Sequence, residues 1–326
     1  MDTSHELDAH GLFEARYLAF LETITHLRPK LHRYCARMTG SVLDGEDVVQ
    51  EALFQAYRKL DTFADDRPLE PWLFRIAHNR CVDFLRRRGT RQDAETEAEA
   101  ETPDAVAPVD PPGPALGRAV EHLVRLLPPK ERACVLLKDV FDYSLDEIAE
   151  LVDSTVGGVK AALNRGRAKL ADVPIDTPRV SRKAATTSQG DASTAPSTRS
   201  EQLSRLLHLY VDRFNRRDWD GLRELIAADA RLRVADRYAG RLDESPYFGR
   251  YDTWIVGWQL TLGELDGEPV IVIGHHPSPD DRVGNGKWTL PGVVRLEVDD
   301  AGRITRIADY LHCPWIIPSA SSFHLS

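Results

Sequence analysis

The segment Ser154–Leu170 carries Lys160, Asn164, Arg165, Arg167 and Lys169 and no acid. Lysine and arginine hold phosphate oxygens, and arginine and asparagine also have the donor geometry to read base edges. A second block, Trp72–Arg91, sets Arg75, Arg80, Arg86, Arg87, Arg88 and Arg91 against the single acid Asp83. Between the two lie Asp93, Glu95, Glu97, Glu99, Glu101, Asp104 and Asp110 with no base. Any one charge run reads as a solvated face, but two basic blocks bracketing an acidic one point to nucleic acid. Acid–base chemistry is available further on from Asp236, His275, His276, Asp309 and His312, though each reads first as a polar strand-edge or satisfied partly buried residue. Cys35, Cys81, Cys134 and Cys313 lie far apart with no Cys-x-x-Cys pair, which argues against a zinc knuckle or disulfide framework and for a reducing compartment. No metal or cofactor is specified.

The elements that position these residues follow from periodicity. Leu27, Leu31, Tyr34, Cys35 and Met38 recur at helical spacing, as do Val48, Val49, Ala52, Leu53, Ala56, Tyr57 and Leu60, in a helix expected to open after Gly45 with Glu46 and Asp47 at its positive end. Trp72, Leu73, Ile76, Ala77, Cys81, Phe84 and Leu85 form the stripe of the arginine-bearing helix. The acidic stretch and Pro103, Pro108, Pro111, Pro112 and Pro114 cannot build a core and read as a linker over 91–115. Helical spacing returns at Leu116, Val120, Leu123, Leu126 and Leu127. Ser144 with Glu147 is a capping-box signature opening one short helix, and a break near Asp153-Ser154 precedes the basic one. Two short helices at this spacing make a helix-turn-helix, whose second helix fits the major groove; an ordinary helical hairpin with a basic solvent face is the alternative. Gly157 and Gly158 weaken that helix by about 1 kcal/mol each against alanine.

The chain has 326 residues, 42% hydrophobic and 29% charged, with a formal charge of −9, so it is no generic polyanion binder. That length fits two or three domains. No run approaches the ~20 apolar residues of a membrane span, and the opening residues lack the basic-then-apolar pattern of an export signal, so the expectation is a cytoplasmic protein with no membrane partner. Residues 173–200, rich in Ser, Thr, Ala, Pro and Gly, read as a second linker. Beyond it come two amphipathic helices (Leu203–Phe214, Trp219–Ile226) and strand-like runs at Arg231–Ala235, Pro269–Gly274, Gly292–Val298 and Arg303–Leu311, with Asp299-Asp300-Ala301-Gly302 as a hairpin turn. This part is α+β with a mainly antiparallel sheet.

At this point the motifs resemble a family. Asp47-Val48-Val49-Gln50-Glu51-Ala52-Leu53, with Trp72-Leu73-Phe74-Arg75-Ile76-Ala77-His78-Asn79 running into Asp83-Phe84-Leu85-Arg86-Arg87-Arg88, is similar to domain two of the extracytoplasmic-function sigma factors. Leu127-Pro128-Pro129-Lys130-Glu131-Arg132, Tyr143-Ser144-Leu145-Asp146-Glu147-Ile148-Ala149 and Val159-Lys160-Ala161-Ala162-Leu163-Asn164-Arg165-Gly166-Arg167 resemble domain four. The resemblance implies core RNA polymerase (β′ and β subunits) and promoter DNA as partners. Asp47, Gln50 and Glu51 would dock on β′. Phe63, Asn79, Arg80, Arg86, Arg87 and Arg88 would hold the −10 strand, a base flipped into the loop Asp61–Leu69. Lys160, Asn164, Arg165, Arg167 and Lys169 would meet the −35 element. Phe63 is as readable as a hydrophobic plug, and Ala64-Asp65-Asp66 stands where relatives often carry a base, which opposes phosphate. The acidic linker is either a tether or a mimic of a phosphate backbone inside polymerase.

Residues 201–313 resemble the SnoaL-like, nuclear-transport-factor-like fold in Phe214–Leu222, Phe248-Gly249-Arg250 and Ile304–Leu311. The expected architecture is therefore multidomain: two all-α sigma domains (8–90 and 116–172, the second a helix-turn-helix), then an α+β cone-shaped SnoaL-like domain and a tail over 314–326. Trp258, His275, Asp309 and His312 are its candidate pocket, for a small-molecule ligand; an anti-sigma protein is the other candidate regulator. The expected function is promoter-specific initiation without bond-breaking chemistry, modulated by the C-terminal domain. The rivals are a helix-turn-helix repressor with a ligand-binding tail, which would not co-purify with core polymerase, and a SnoaL-like enzyme fused to a sigma-derived module.

Overall fold

The structure, a computed structural model, describes residues 3–60, 63, 68–99, 127–171, 198–235, 237–253, 258–275 and 289–325, with side chains described there except at 3–16, 91–99, 198–201, 250, 252–253, 275 and 289–291. The chain forms two compact units: Met1–Asp172 with Pro318–Ser322, and Val173–Ile317 with Phe323–Ser326.

In the first unit, α1 (Thr3–Thr39) and α2 (Val42–Arg58) pair through a close approach. The start expected after Gly45 is corrected: Ser41 caps the helix by accepting from the Asp44 N–H at 3.3 Å, and Gly45 lies one turn inside. A Cβ on Gly45 would come 2.5 Å from the Ala36 backbone nitrogen, so glycine is there to let two backbones meet. Glu46 is not a solvent-facing acid at a helix start; it is fully buried and accepts from Arg28 at 2.5 Å. The arginine-bearing helix α3 runs Leu69–Glu99. It thus continues into the segment expected to be linker from residue 91, because alternating Ala and Glu, unable to build a core, are still strong helix formers. The rest of that linker and the Leu116–Leu126 stripe lie outside the described residues.

After Leu127 come α4 (Pro129–Val135, with proline at N1), a π-helical turn at Leu136–Val140, α5 (Leu145–Leu151) and α6 (Val156–Ala171). The expected capping box is present: Glu147 N–H donates to Ser144 Oγ and the Ser144 N–H to Glu147 Oε2. Asp153, at φ +50°, makes the turn between α5 and α6. The two glycines sit in the first turn of α6, where Thr155 Oγ1 accepts the Gly158 N–H at 3.1 Å and a Cβ on Gly158 would meet Ser154 Oγ at 2.7 Å.

The two helical domains pack on each other. Leu31, Tyr34, Cys35, Leu73, Phe74 and Cys81 share one apolar core with Cys134, Leu136, Ile148 and Val159.

The second unit opens with α7 (Thr198–Asn215) and α8 (Trp219–Glu224), the latter N-capped by Asp218. A seven-stranded sheet follows in the order β2-β1-β6-β5-β4-β3-β7. Its strands are β1 (Ile226–Val234), β2 (Tyr238–Arg241), β3 (Trp258–Leu265), β4 (Glu268–His275), β5 (Thr289–Val298), β6 (Ile304–Asp309) and β7 (Phe323–Leu325), with α9 (Tyr247–Thr253) after β2 and α10 (Ile316–Ser319) before β7. Among the described residues only the β1–β6 pairing is parallel. The sheet is open, with β2 and β7 at its edges. The segment expected to be a tail supplies an edge strand, Glu264 pairing with His324. The Asp299–Gly302 hairpin is as expected, Asp299 N–H donating to Arg303 C=O and Gly302 at φ +76°. One sheet face buries Leu232, Val234, Leu260, Ile271, Ile273, Val294 and Ile307 beneath Leu206, Tyr210 and Phe214 of α7.

Candidate nucleic-acid interface

Helix α3 buries Leu73, Phe74, Ile76, Ala77 and Cys81, which turns its other side outward and sets Asn79, Arg86, Arg87 and Arg88 in solvent. Arg80 is half-buried and donates from Nε to Gln55 at 2.7 Å. Arg86 pairs with Asp83 at 3.2 Å, Arg87 with Glu51 at 3.8 Å and Arg88 with Asp44 at 3.4 Å. Phe63 packs its ring on Trp72, centroids 4.5 Å apart, so in this state it is a plug over the start of α3. The other loop residues expected to cradle a base, at 61–62 and 64–67, lie outside the described residues.

On α6 the buried residues are Val159, Ala162, Leu163 and Gly166, and Gly166 has the reason its size suggests: a Cβ there would come 2.9 Å from Val135 of α4. Lys160 and Asn164 are exposed on the opposite side. Arg165 and Lys169 both donate to Glu131 at 2.8 Å, and Arg167 pairs with Asp139 through two nitrogens. The two cations hold the Glu131 carboxyl below the usual carboxylate range, and Asp139 raises the Arg167 guanidinium. The Arg167–Asp139 pair is exposed on both sides and worth about 0–1 kcal/mol, so a phosphate can displace that acid at little cost, whereas Glu131 is buried and would be stranded if Arg165 and Lys169 both left it.

The expected polymerase face lies on α2. Asp47 and Gln50 are half-buried, Gln50 donating to Glu46 at 3.2 Å, and Glu51 is exposed. Sequence periodicity placed Tyr57 in a core stripe, yet Phe54 is 64% and Tyr57 46% exposed. Phe54, with Glu51, Gln55, Arg58, Lys59 and Arg80, lines a depression of about 410 Å³ between α2 and α3. A cluster of exposed aromatics over charged residues is the mark of a surface that is covered by a partner. Its signal in the sequence is Phe54 itself, an apolar residue off the stripe.

In the second unit, Trp258 and His275 face each other across β3 and β4, the His275 side chain being outside the described residues. Trp258 is half-buried and His312 exposed. Asp309 is buried and accepts from Tyr247 and Tyr251 hydroxyls, each at 2.8 Å, and from the Leu311 N–H at 2.8 Å. Burial raises its carboxyl, opposed by those three donors. The two cavities described in this unit lie elsewhere: about 520 Å³ beside Ile226, Ala230, Leu242 and Phe248, and about 250 Å³ beside Leu203, Leu206 and Val298. Asp236, His276, Trp254 and Trp288 lie outside the described residues. Among the described residues no group of three His, Cys, Asp or Glu side chains is placed to hold a metal, and no helix is long and apolar enough to cross a membrane.

An arginine-faced helix and a helix-turn-helix in succession define a bipartite DNA-binding protein, and comparison with known proteins makes this specific. The family models for sigma-70 region 2 and sigma-70 region 4 match residues 23–91 and 117–170. The ECF RNA polymerase sigma factor SigW of Bacillus subtilis (strain 168) is 32% identical over 167 residues, 47% of this chain and 87% of that protein. SigG of Mycobacterium tuberculosis (strain ATCC 25618 / H37Rv), also an ECF RNA polymerase sigma factor, is 32% identical over 229 residues, 62% of this chain and 58% of that protein. The crystal structure of the Mycobacterium tuberculosis extracytoplasmic function sigma factor SigJ aligns over 89% of this chain and 95% of its own, at 17% identity and a TM-score of 0.34. The chain belongs to the ECF RNA polymerase sigma factors, and its function is promoter-specific transcription initiation.

Proposed function

We propose that α2 presents the surface that joins this sigma factor to core polymerase, through Glu51, Phe54 and Tyr57 with Asp47 and Gln50 behind them. The observation that carries this is exposed Phe54 lining the depression on α2 and α3, with exposed Tyr57 one turn further along α2 against Tyr17. Asn79, Arg80, Arg86, Arg87 and Arg88 then follow the −10 strand along α3, and Lys160 and Asn164 lead α6 into the groove at the −35 element. Arg167 exchanges its exposed carboxylate partner for a phosphate on arrival, and Arg165 and Lys169 add their positive charge from their places on Glu131. The second unit regulates the first and performs no chemistry itself, because the carboxylate best placed to act as an acid or base, Asp309, is spent on two tyrosine hydroxyls and a backbone N–H.

The test is binding of core polymerase by Phe54→Ala and Tyr57→Ala. Truncating an exposed aromatic that becomes buried at an interface costs about 1–3 kcal/mol, so each variant should bind at least several-fold more weakly, Phe54→Ala with its own stability unchanged and Tyr57→Ala losing only the edge contact with Tyr17. Binding within two-fold of wild type for both would remove this surface from the account. Deleting residues 201–326 should change run-off transcription from a matched promoter; unchanged promoter use and polymerase affinity would defeat the regulatory role.

A further inference from the structure

The depression of about 410 Å³ on α2 and α3 has a charge opposite to that of the acidic motif beside it. Three cations line it, Arg58, Lys59 and Arg80, against one acid, Glu51, with Phe54 and Gln55 completing the wall. Glu51 is itself 3.8 Å from Arg87. Arg80 donates from Nε to Gln55 at 2.7 Å, an uncharged acceptor. The Arg58 guanidinium lies over the Phe54 ring, 6.0 Å from its centroid.

Cations suit the negative end of a helix, which accounts for Arg58 and Lys59 at the close of α2. It does not account for Arg80, which reaches the same hollow from α3, or for a phenylalanine 64% exposed beside all three. Guanidinium and ammonium groups around an apolar wall suit a carboxylate on a short apolar stem. The layout of α2 adds direction. Asp47 and Glu51 lie toward its start, whereas Arg58 and Lys59 lie about 10 Å further along the axis. A partner lying along the helix must change sign over the same distance, which fixes its orientation as well as its place.

Resting on the polymerase surface described above, we propose that this hollow is a carboxylate receptor: an acidic side chain of core polymerase enters between Arg58 and Lys59 with its stem against Phe54, while Arg80 adds its charge from its place on Gln55. The motif Asp47, Gln50 and Glu51 covers only the acidic half of the face.

Lys59 is the one amine among the lining residues, so a water-soluble carbodiimide reads the occupant directly. The reagent activates a carboxylate; the Lys59 amine displaces it, forming an amide while the carboxyl oxygen leaves in a urea. The full chain is assembled with core polymerase, treated and mapped by mass spectrometry. We expect Lys59 joined to an Asp or Glu of polymerase. In untreated protein, Arg58→Gln/Lys59→Gln should bind core polymerase about ten-fold more weakly at low salt, the gap narrowing as salt rises, with an unchanged melting temperature because both residues are exposed. Reversing the linked carboxylate to lysine should weaken binding by wild type and restore it to Lys59→Glu.

A complex that forms without any link from Lys59 to polymerase, or a double variant that binds within about two-fold of wild type, overturns the receptor. So does a double variant that keeps its polymerase affinity and loses promoter affinity instead, which would give these cations to phosphate. Either result leaves the α2 surface standing as long as Phe54→Ala still weakens binding. Wild-type protein that fails to bind core polymerase, or Phe54→Ala and Tyr57→Ala variants that bind like wild type, would overturn that surface and the receptor with it.

Discussion

The Arg28–Glu46 pair is where a single change should do most harm to the proposed polymerase face. Glu46 is fully buried and Arg28 nearly so, at 2.5 Å, and Glu46 also accepts from Gln50 on the same helix. Replacing one partner of a buried pair strands the other charge away from water and typically costs about 3–5 kcal/mol, whereas replacing both with apolar residues of similar volume is often neutral or stabilising. Glu46→Met should therefore destabilise the α1–α2 pairing by about 3–5 kcal/mol, and Arg28→Met/Glu46→Met should recover most of it. At about 1.4 kcal/mol per factor of ten, the slowest-exchanging α1 and α2 amides should exchange roughly two to four decades faster in the single variant. Hydrogen exchange followed by mass spectrometry reads this helix by helix. A Glu46→Met protein exchanging within three-fold of wild type, or a double variant as damaged as the single one, would refute the reasoning.

Two further outcomes follow from burial. His78 bonds the Tyr34 hydroxyl at 2.8 Å, and burial pushes its imidazole down to about 4 from 6.5. A base with a depressed folded-state value contributes stability above its unfolded pKa and loses it as pH falls, so the first unit should lose up to about 3 kcal/mol between pH 6.5 and 4. His78→Gln should flatten that part of the urea-midpoint profile, and an unaltered profile would contradict it. A Cβ on Gly292 would come 2.5 Å from the Leu311 backbone, beside the Asp309 cluster. Gly292→Ala should lower the melting temperature of the second unit by several degrees, about 1–3 kcal/mol of overpacking, and no shift would count against the close β5–β6 approach.

Much of this protein can be read from local pattern, and the misses share a cause. Helical stripes, the Ser144–Glu147 box and the Asp299–Gly302 turn depend on residues near one another in sequence, and those that fall on the described residues are present, Tyr57 apart. Gly45 and Glu46 look like a helix start, because glycine then acid is that signal, yet Gly45 exists for Ala36 and Glu46 for Arg28. Strands β2, β3 and β7 carry a weak sequence signal: β2 and β7 are short edges, and Gly263 interrupts β3 where a Cβ would meet the His324 carbonyl at 2.8 Å. The candidate cations were legible as charge, but their partners Glu131 and Asp139 lie 28 to 38 residues away. Arg132 and Tyr143 stand in recognisable motifs, whereas the α1 terminus and Glu70 that they serve are more than 70 residues distant.

The central claim is that this chain gives polymerase its choice of start site. Run-off transcription by core enzyme over a promoter library, at low salt and with the full-length protein or the chain lacking residues 201–326, measures it directly. We expect discrete transcripts that appear only when the protein is present and that share −10 and −35 sequences. Transcripts indistinguishable from those of core enzyme alone, with either form of the protein, would contradict the account.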